Sequence, residues 1–325
     1  MRAEYASRLA RAITGAGEKL NGLKTVYFGG GSPALCDLGS VLDALAPRLA
    51  DDVEFTVELN PLDVTKELLT RLSSSGVNRI SMGVQSLDDA ILRHMARGYS
   101  FIDAERAFYL VKEYFDNAGI DLIVGYPGET AALLPRHARL QKWGLRHCSV
   151  YSLIREERTL LDRLCREGKV ELPDDDTVMN RLSVVSAFLA DIGLTRYEVS
   201  NYAVPGFECR HNMAVWRGED YMGLGEGAHG RVGQLRTRNL MGFDFHNDGE
   251  VEEVCAEADR QERRIFALRT QEGLDVSRWD SPQREQVEST LDAFVTKGLL
   301  RKSGAIYRLT PRGFEVCDSI LAEIV

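Results

Sequence analysis

The sequence predicts an α/β chain: a partial (β/α) barrel of the TIM-like kind, then a small helical module carrying two short strands. Three observations predict it. Short β-branched runs alternate with amphipathic helical stretches at the spacing of βα units. Glycine-rich and polar motifs fall where those runs end, the place where parallel βα architectures keep their ligand loops. From about residue 255 the alternation stops and a different texture begins.

Residues 1–20 set Tyr5, Leu9 and Ile13 at helical spacing with Arg8 and Arg11 between them. No continuous apolar stretch interrupts that pattern, so it reads as a helix and not as a signal peptide. Strands are expected over 25–28, 53–57, 77–82, 120–124 and 148–153. Helices are expected over 39–50, 63–74, 87–96 together with 103–115, and 131–142, then 175–192 before a short strand at 196–199. Beyond 255 the pattern gives helices at 260–268 and 285–297, two strands within 298–310 about a Ser303-Gly304 turn, and a last helix, an order that resembles a winged-helix module. The expected division is a barrel over 1–250, with an extension from about 155, and a module over 251–325.

With 325 residues, 44% of them hydrophobic, the chain can bury one large core and one small one. Forty-nine acidic against 40 basic residues leave a charge of -9, which gives no footprint for nucleic acid. The winged-helix-like module is therefore expected to serve as scaffold or substrate cover, not as a DNA reader. Cys36, Cys148, Cys165, Cys209, Cys255 and Cys317 have no paired spacing and read as free thiols of a reducing, cytoplasmic compartment. No apolar run approaches the roughly 20 residues that cross a bilayer, while peripheral membrane contact stays open.

The chemistry lies in short segments. Tyr27-Phe28-Gly29-Gly30-Gly31-Ser32-Pro33 follows a strand. Its glycines suit either a ligand cradle, where backbone approaches without Cβ interference, or a tight strand-to-helix turn, and no Gly-Lys-Ser/Thr makes it a P-loop. Glu58, in Val57-Glu58-Leu59-Asn60-Pro61, could accept from an ammonium or from ribose hydroxyls, or belong to a helix-capping turn. Gln85 ends Asn78-Arg79-Ile80-Ser81-Met82-Gly83-Val84-Gln85 ahead of the helix caps Ser86 and Asp88. Asp121 opens Asp121-Leu122-Ile123-Val124-Gly125-Tyr126-Pro127-Gly128-Glu129, where an unpaired carboxylate among apolar neighbours would be costly. His211, in Arg210-His211-Asn212, is either a polar residue of a turn or an imidazole offered to iron.

Taken in order, these segments together with Tyr197 to Ala203 and Tyr221-Met222-Gly223-Leu224-Gly225-Glu226-Gly227-Ala228-His229-Gly230 resemble, over about 24–245, the anaerobic coproporphyrinogen III oxidase family of radical S-adenosylmethionine (SAM) proteins. Within that family the resemblance is to the heme-chaperone branch, HemW. It implies a radical SAM barrel and a SAM pocket at Gly30, Gly31, Ser32 (usually Thr), Glu58, Gln85, Arg97, Asp121, Ile154 and His229. It implies a heme or porphyrin contact at His211 and Asn212, heme-accepting proteins as partners, and a [4Fe-4S] cluster.

Four departures accompany it. No CxxxCxxC occurs, so none of the six cysteines has the ligand spacing of such a cluster, and no metal ligand or catalytic residue is assigned. The chaperone signature HNxxYW reads His211-Asn212-Met213-Ala214-Val215-Trp216, with Val where Tyr is usual, and Gly-Arg-x-His reads Ala96-Arg97-Gly98-Tyr99. The family's first strand and cysteine loop have no counterpart ahead of residue 4, so the expectation is a truncated or cluster-less chain whose 25–28 strand forms the barrel edge. The expected function is heme binding and delivery. The alternatives are oxygen-independent oxidation of coproporphyrinogen III and a cluster-free binding module.

Overall fold

The computed structural model describes residues 2–129, 138–240, 249–279 and 281–324. Its main sheet has seven strands: β1 Leu23–Phe28, β2 Leu49–Leu59, β3 Arg79–Gln85, β4 Asn117–Val124, β5 His147–Ser152, β6 Thr195–Arg196 and β7 Asn201–Ala203. They lie in the order β1-β2-β3-β4-β5-β7-β6. The first five run parallel, β7 is antiparallel to β5, and β6 is antiparallel to β7. This is the expected partial barrel, with β1 at one edge.

Helices α1 Arg2–Gly15, α2 Gly39–Leu45, α3 Lys66–Ser74, α4 Asp89–His94 and α5 Phe101–Lys112 intervene in chain order. Their apolar faces bury one face of the sheet. Phe55, Val57, Leu59, Ile80, Met82, Val84, Ile120, Leu122, Val124 and Val150 alternate along the strands into a single core with Leu42, Leu69, Leu72 and Phe108. Successive side chains of a strand point to opposite faces, so the intervening positions line the concave side. There the sequence reads Thr25 and Tyr27; Glu54, Thr56 and Glu58; Arg79, Ser81 and Gly83; Asn117, Gly119 and Asp121; His147 and Ser149. A parallel sheet normally buries both faces with apolar residues. Here the concave face carries mostly polar and glycine positions, and Tyr27 packs against a small cluster of Tyr197, Ala203, Cys209 and Met213.

Several element bounds differ from the sequence pattern for local reasons. The 39–50 helix stops at Leu45, because Pro47 forces a 3-10 turn over Ala46–Arg48 and β2 begins at once, longer than expected. The 63–74 helix begins at Lys66, where Thr65 accepts from the Leu68 N–H as N-cap. The 87–96 helix ends at His94, in the αL turn described below. A capping box between Ser100 and Asp103 opens α5. Of the expected 131–142 helix, residues 130–137 lie outside the described residues. The strand expected at 196–199 is two strands, β6 and β7, separated by a turn.

Helices α6 Leu160–Arg166, α7 Asp175–Asp191 and α8 Arg210–Trp216 follow. A meander missed by the sequence reading comes next: β8 His229–Val232, β9 Leu235–Asn239 and β10 Gly249–Glu253, paired antiparallel. Its strands are rich in Arg and Glu, held as cross-strand pairs such as Arg236 with Glu252 at 3.3 Å, so hydrophobic alternation never flagged them.

Residues 256–324 build a second core around Leu268, Leu291, Phe294, Leu300, Tyr307, Leu309 and Phe314. Helix α9 Ala256–Leu268 and helix α10 Ser281–Thr296 pack with the sheet β11-β13-β12, formed by Leu274–Asp275, Ile306–Leu309 and Leu300–Ser303, and the short helices α11 Pro311–Glu315 and α12 Cys317–Ala322 complete it. The joint with the barrel is specific. Gln271 N–H donates to the Tyr197 carbonyl at 2.8 Å, and Arg196 stacks 4.5 Å over the Phe314 ring. Among the described residues no helix is long and apolar enough to cross a membrane.

Candidate functional site

The carboxyl ends of the parallel strands gather the polar residues that the motifs nominated. Tyr27 on β1 donates to Glu58 Oε1 on β2 at 2.8 Å, and Glu58 also accepts from the Gly30 N–H. Burial raises the Glu58 pKa above the usual carboxylate value, against the lowering effect of the Tyr27 hydrogen bond, and the nearby Asp121 charge adds to the rise. Asp121, on β4, is likewise raised by burial, while hydrogen bonds from Ser149 and Ser81, the latter at 2.9 Å, oppose the shift. Two desolvated carboxylates thus lie on the concave side of the sheet.

Beside them stands the glycine loop. A Cβ at Gly29 would meet the Tyr27 ring at 2.9 Å and the Glu58 carboxylate at 3.0 Å. Gly30 has φ +93°, and a Cβ built at Gly30 or Gly31 meets nothing within 4 Å. Packing therefore explains Gly29, and backbone conformation explains Gly30. Gly31 presents bare backbone to open space. Ser32 is tied away from the opening: it donates to Asp63 Oδ2 at 3.0 Å and accepts from Asn60.

Gln85 sits at a register shift between β3 and β4 with φ +65°. The Ser86 N–H reaches the Val84 carbonyl at 2.8 Å across it, which makes a γ-turn of the strained hand. Strain at a strand end marks a residue whose placement the surrounding fold enforces. The Gln85 amide lies over the bare backbone of Gly83, where a Cβ would come within 2.6 Å of Nε2.

Arg97 follows a Schellman turn at the end of α4: Ala96 N–H to the Arg93 carbonyl at 3.0 Å and Arg97 N–H to the Leu92 carbonyl at 2.8 Å. Ala96 occupies the left-handed position at φ +54°, where glycine is the usual residue. Arg97 Nε is buried without a hydrogen-bond partner. Tyr99, where the family pattern has His, donates to the Gly83 carbonyl at 2.8 Å and so braces β3. Ile154 stands 75% exposed on the loop after β5, and His229 is exposed at the start of β8.

The other end of the concave face is closed by α8. Glu54 accepts from the N–H groups of Arg210 and His211, each at 3.0 Å, and from the Cys209 thiol at 3.5 Å. It caps the helix from inside the barrel. His211 Nδ1 lies 3.0 Å from Thr25 Oγ1, and its ring centroid is 5.3 Å from that of Tyr27. Burial, aided by the Arg79 charge and opposed by Glu54, lowers the His211 pKa, so its imidazole is neutral near pH 7. Asn212 directs its backbone N–H to the Cys209 thiol.

Sequence reasoning missed Glu54, Arg79 and Glu129. Arg79 is 2% exposed, with Nε unpaired and Nη1 only 3.4 Å from Thr56 Oγ1. Glu129 accepts from the Gly125 N–H at 2.8 Å and pairs with Arg181 at 3.1 Å, which fixes the loop after β4. The signal for Glu54 and Arg79 was present as period-two polarity within β2 and β3.

The open glycine backbone, the orphaned Arg97 Nε and two desolvated carboxylates fit a ligand with a cationic centre and an anionic group, as SAM has. The cysteines do not fit a [4Fe-4S] cluster: none has the ligand spacing, and the described residues hold no group of three or more His, Cys, Asp or Glu able to hold a metal.

The family model of the radical SAM superfamily matches residues 3–140. The heme chaperone HemW of Lactococcus lactis is 31% identical over 321 residues, 93% of this chain and 85% of that protein. The heme chaperone HemW of Mycobacterium tuberculosis is 34% identical over 318 residues, 93% of this chain and 80% of that protein. Among solved structures, coproporphyrinogen III oxidase (HemN) from Escherichia coli, a radical SAM enzyme, superposes with TM-score 0.80 at 19% identity, over 99% of this chain and 82% of that one. That likeness shows the barrel fold.

Proposed function

This chain belongs to the HemW family of radical SAM proteins, and from that premise we propose that it binds heme and delivers it to acceptor proteins, with SAM as a second ligand at the strand ends of the half-barrel. The observation that carries the heme reading is the setting of His211. A metal-binding imidazole is ordinarily oriented through its other nitrogen, and Thr25 holds Nδ1 of His211 at 3.0 Å. Nε2 is then the nitrogen for iron. Burial keeps the ring neutral, the state that ligates, and Asn212 fixes the turn through the Cys209 thiol. Val215 supplies less apolar contact than the tyrosine of the HNxxYW pattern, so affinity is modest.

The SAM reading rests on Gly30, Gly31, Glu58, Gln85 and Asp121, in or just after the parallel strands, together with Arg97 after α4, Ser32 bracing the glycine loop, Ile154 after β5 and His229 at the start of β8. Bound there, SAM would supply a sulfonium and an amino-acid group. The chain's own residues would neutralise the cation with Glu58 and Asp121 and pair an anionic group with Arg97.

The chaperone reading is preferred to the oxidase reading because relatives at 31% and 34% identity are heme chaperones, whereas the oxidase likeness, at 19%, is one of fold. The test is heme titration followed by Soret absorbance on the wild type, His211→Ala, Thr25→Val and Val215→Tyr. Loss of binding in His211→Ala, a shifted spectrum in Thr25→Val and tighter binding in Val215→Tyr are expected. An unchanged spectrum and affinity in His211→Ala would remove the iron from His211 and make His229 the residue to test.

A further inference from the structure

The loop between β5 and α6 concentrates cations around one buried carboxylate. Asp162 is 4% exposed. It pairs with Arg155 Nε at 2.9 Å and with Arg166, and it accepts the Arg158 N–H at 3.0 Å. Thr159 caps the helix by accepting from the Asp162 N–H at 3.2 Å. Capping accounts for Thr159 and for one face of Asp162. It does not account for two guanidiniums on the same carboxylate. Nor does it account for Arg158, a non-glycine residue held at φ +66°, whose guanidinium makes no ion pair with any described residue. A left-handed arginine is strained and persists because the structure around it enforces the conformation.

These side chains line a recess of about 450 Å³ with Glu157. Three guanidiniums face two carboxylates, which leaves an excess positive charge. The arrangement suits a carboxylate ligand, since the guanidinium fork binds that group in two-point fashion. Its place is equally specific. Leu153 N–H bonds the Val124 carbonyl at 2.8 Å, so the loop leaves the sheet on the rim that carries Gly125 and the SAM-site strand ends. Ile154, 75% exposed, precedes Arg155, and Leu160, 59% exposed, follows the turn. Apolar side chains beside a carboxylate-binding recess match an amphipathic ligand with an apolar body and carboxylate arms.

We infer that Arg155, Arg158 and Arg166 are the recognition site for the propionate carboxylates of heme, with Ile154 and Leu160 against the macrocycle edge. The inference rests on the heme reading above and not on which imidazole holds the iron. Asp162 is the positioning residue: it spreads Arg155 and Arg166 and fixes the Arg158 backbone.

The test is a Soret titration of the full chain with hemin and with hemin dimethyl ester, whose propionates are blocked, repeated with iron-free protoporphyrin IX. Wild type, Arg158→Gln, Arg158→Lys and, as a neighbouring control, Arg163→Gln are compared. Arg158 is chosen because its guanidinium pairs with no described residue, so its loss leaves Asp162 compensated. Wild type is expected to bind hemin roughly tenfold or more tighter than the ester, the worth of one charge-assisted pair. Arg158→Gln should erase most of that preference and weaken protoporphyrin IX equally, Arg158→Lys should restore part of it, and Arg163→Gln should change nothing. Equal affinity for hemin and ester, or equal weakening of both by Arg158→Gln, would overturn the site while leaving heme binding intact. Binding of none of the three porphyrins would overturn the heme reading itself, and the site with it.

Discussion

Tyr27 donates a 2.8 Å hydrogen bond to Glu58, and the pair is asymmetric: burial raises both pKa values, the Glu58 charge adds to the rise at Tyr27, and the Tyr27 hydrogen bond opposes the rise at Glu58. The pair forms the wall against which Gly29 packs, and a cation bound there would favour the charged form of Glu58.

The contribution of Glu58 and Asp121 to stability should fall as pH rises through the carboxylate range. With their folded pKa values above the usual 4.5 and 3.8, these two groups hold protons in the native state that the unfolded chain releases, so their share of the slope of unfolding free energy with pH is negative above those values. Glu58→Gln removes its share. Urea midpoints of wild type and Glu58→Gln between about pH 4 and 7 should converge at the acid end and separate upward, the variant lying higher. Parallel curves would show that Glu58 titrates as it does in the unfolded chain.

SAM affinity should rise with pH over the same window, because a cationic ligand draws Glu58 and Asp121 into their charged forms and expels protons. Calorimetry in two buffers of different ionisation enthalpy reads the proton count. Glu58→Gln and Asp121→Asn should each weaken binding by about tenfold and lower that count. Tight binding untouched by either change would mean that the SAM pocket lies elsewhere.

Ala96→Gly should stabilise the protein by about 1 kcal/mol, since it relieves a left-handed alanine at the C′ position of a Schellman turn. Thermal unfolding measures it. A lower melting temperature would show that the Ala96 methyl group makes a contact that outweighs the strain.

Tyr99→Phe should cost about 1 kcal/mol by leaving the Gly83 carbonyl without its 2.8 Å partner. Because Gly83 lies under the Gln85 amide, the same variant should weaken SAM binding. Destabilisation without any change in SAM affinity would confine Tyr99 to the fold.

Anaerobic reconstitution of these 325 residues with iron and sulfide should give no stoichiometric absorbance near about 400 nm, since the six cysteines lack the spacing that holds three irons of a [4Fe-4S] cluster. Four irons and four sulfides per chain, lost on replacing scattered cysteines, would contradict this.

The order of β-branched runs and helical patterns carried the partial barrel, because strand and helix periods are local properties of consecutive residues. The motifs likewise nominated Glu58, Gln85 and Asp121, because glycines, caps and strand ends are written in a few adjacent letters. Element ends were less legible: Pro47 cut short a helix whose pattern ran on, and the β8–β10 meander is made of charged strands with no apolar alternation to read.

Which face of each strand met the helices was decided only in three dimensions. Glu54, in sequence an acidic residue in a charged run, caps α8 from inside the barrel across 156 positions of chain. Arg79 is an unremarkable strand residue until burial strips it of water. His211, read as either a turn residue or an iron ligand, acquires a defined tautomeric partner in Thr25, 186 positions away, because closing the sheet brings β1 against α8. Asp162 draws the Arg155 and Arg166 guanidiniums and the Arg158 backbone N–H together because a buried carboxylate costs less with several partners than alone. Such pairings depend on which surfaces lose water together, and that is fixed by packing between elements, not by the period within any one of them.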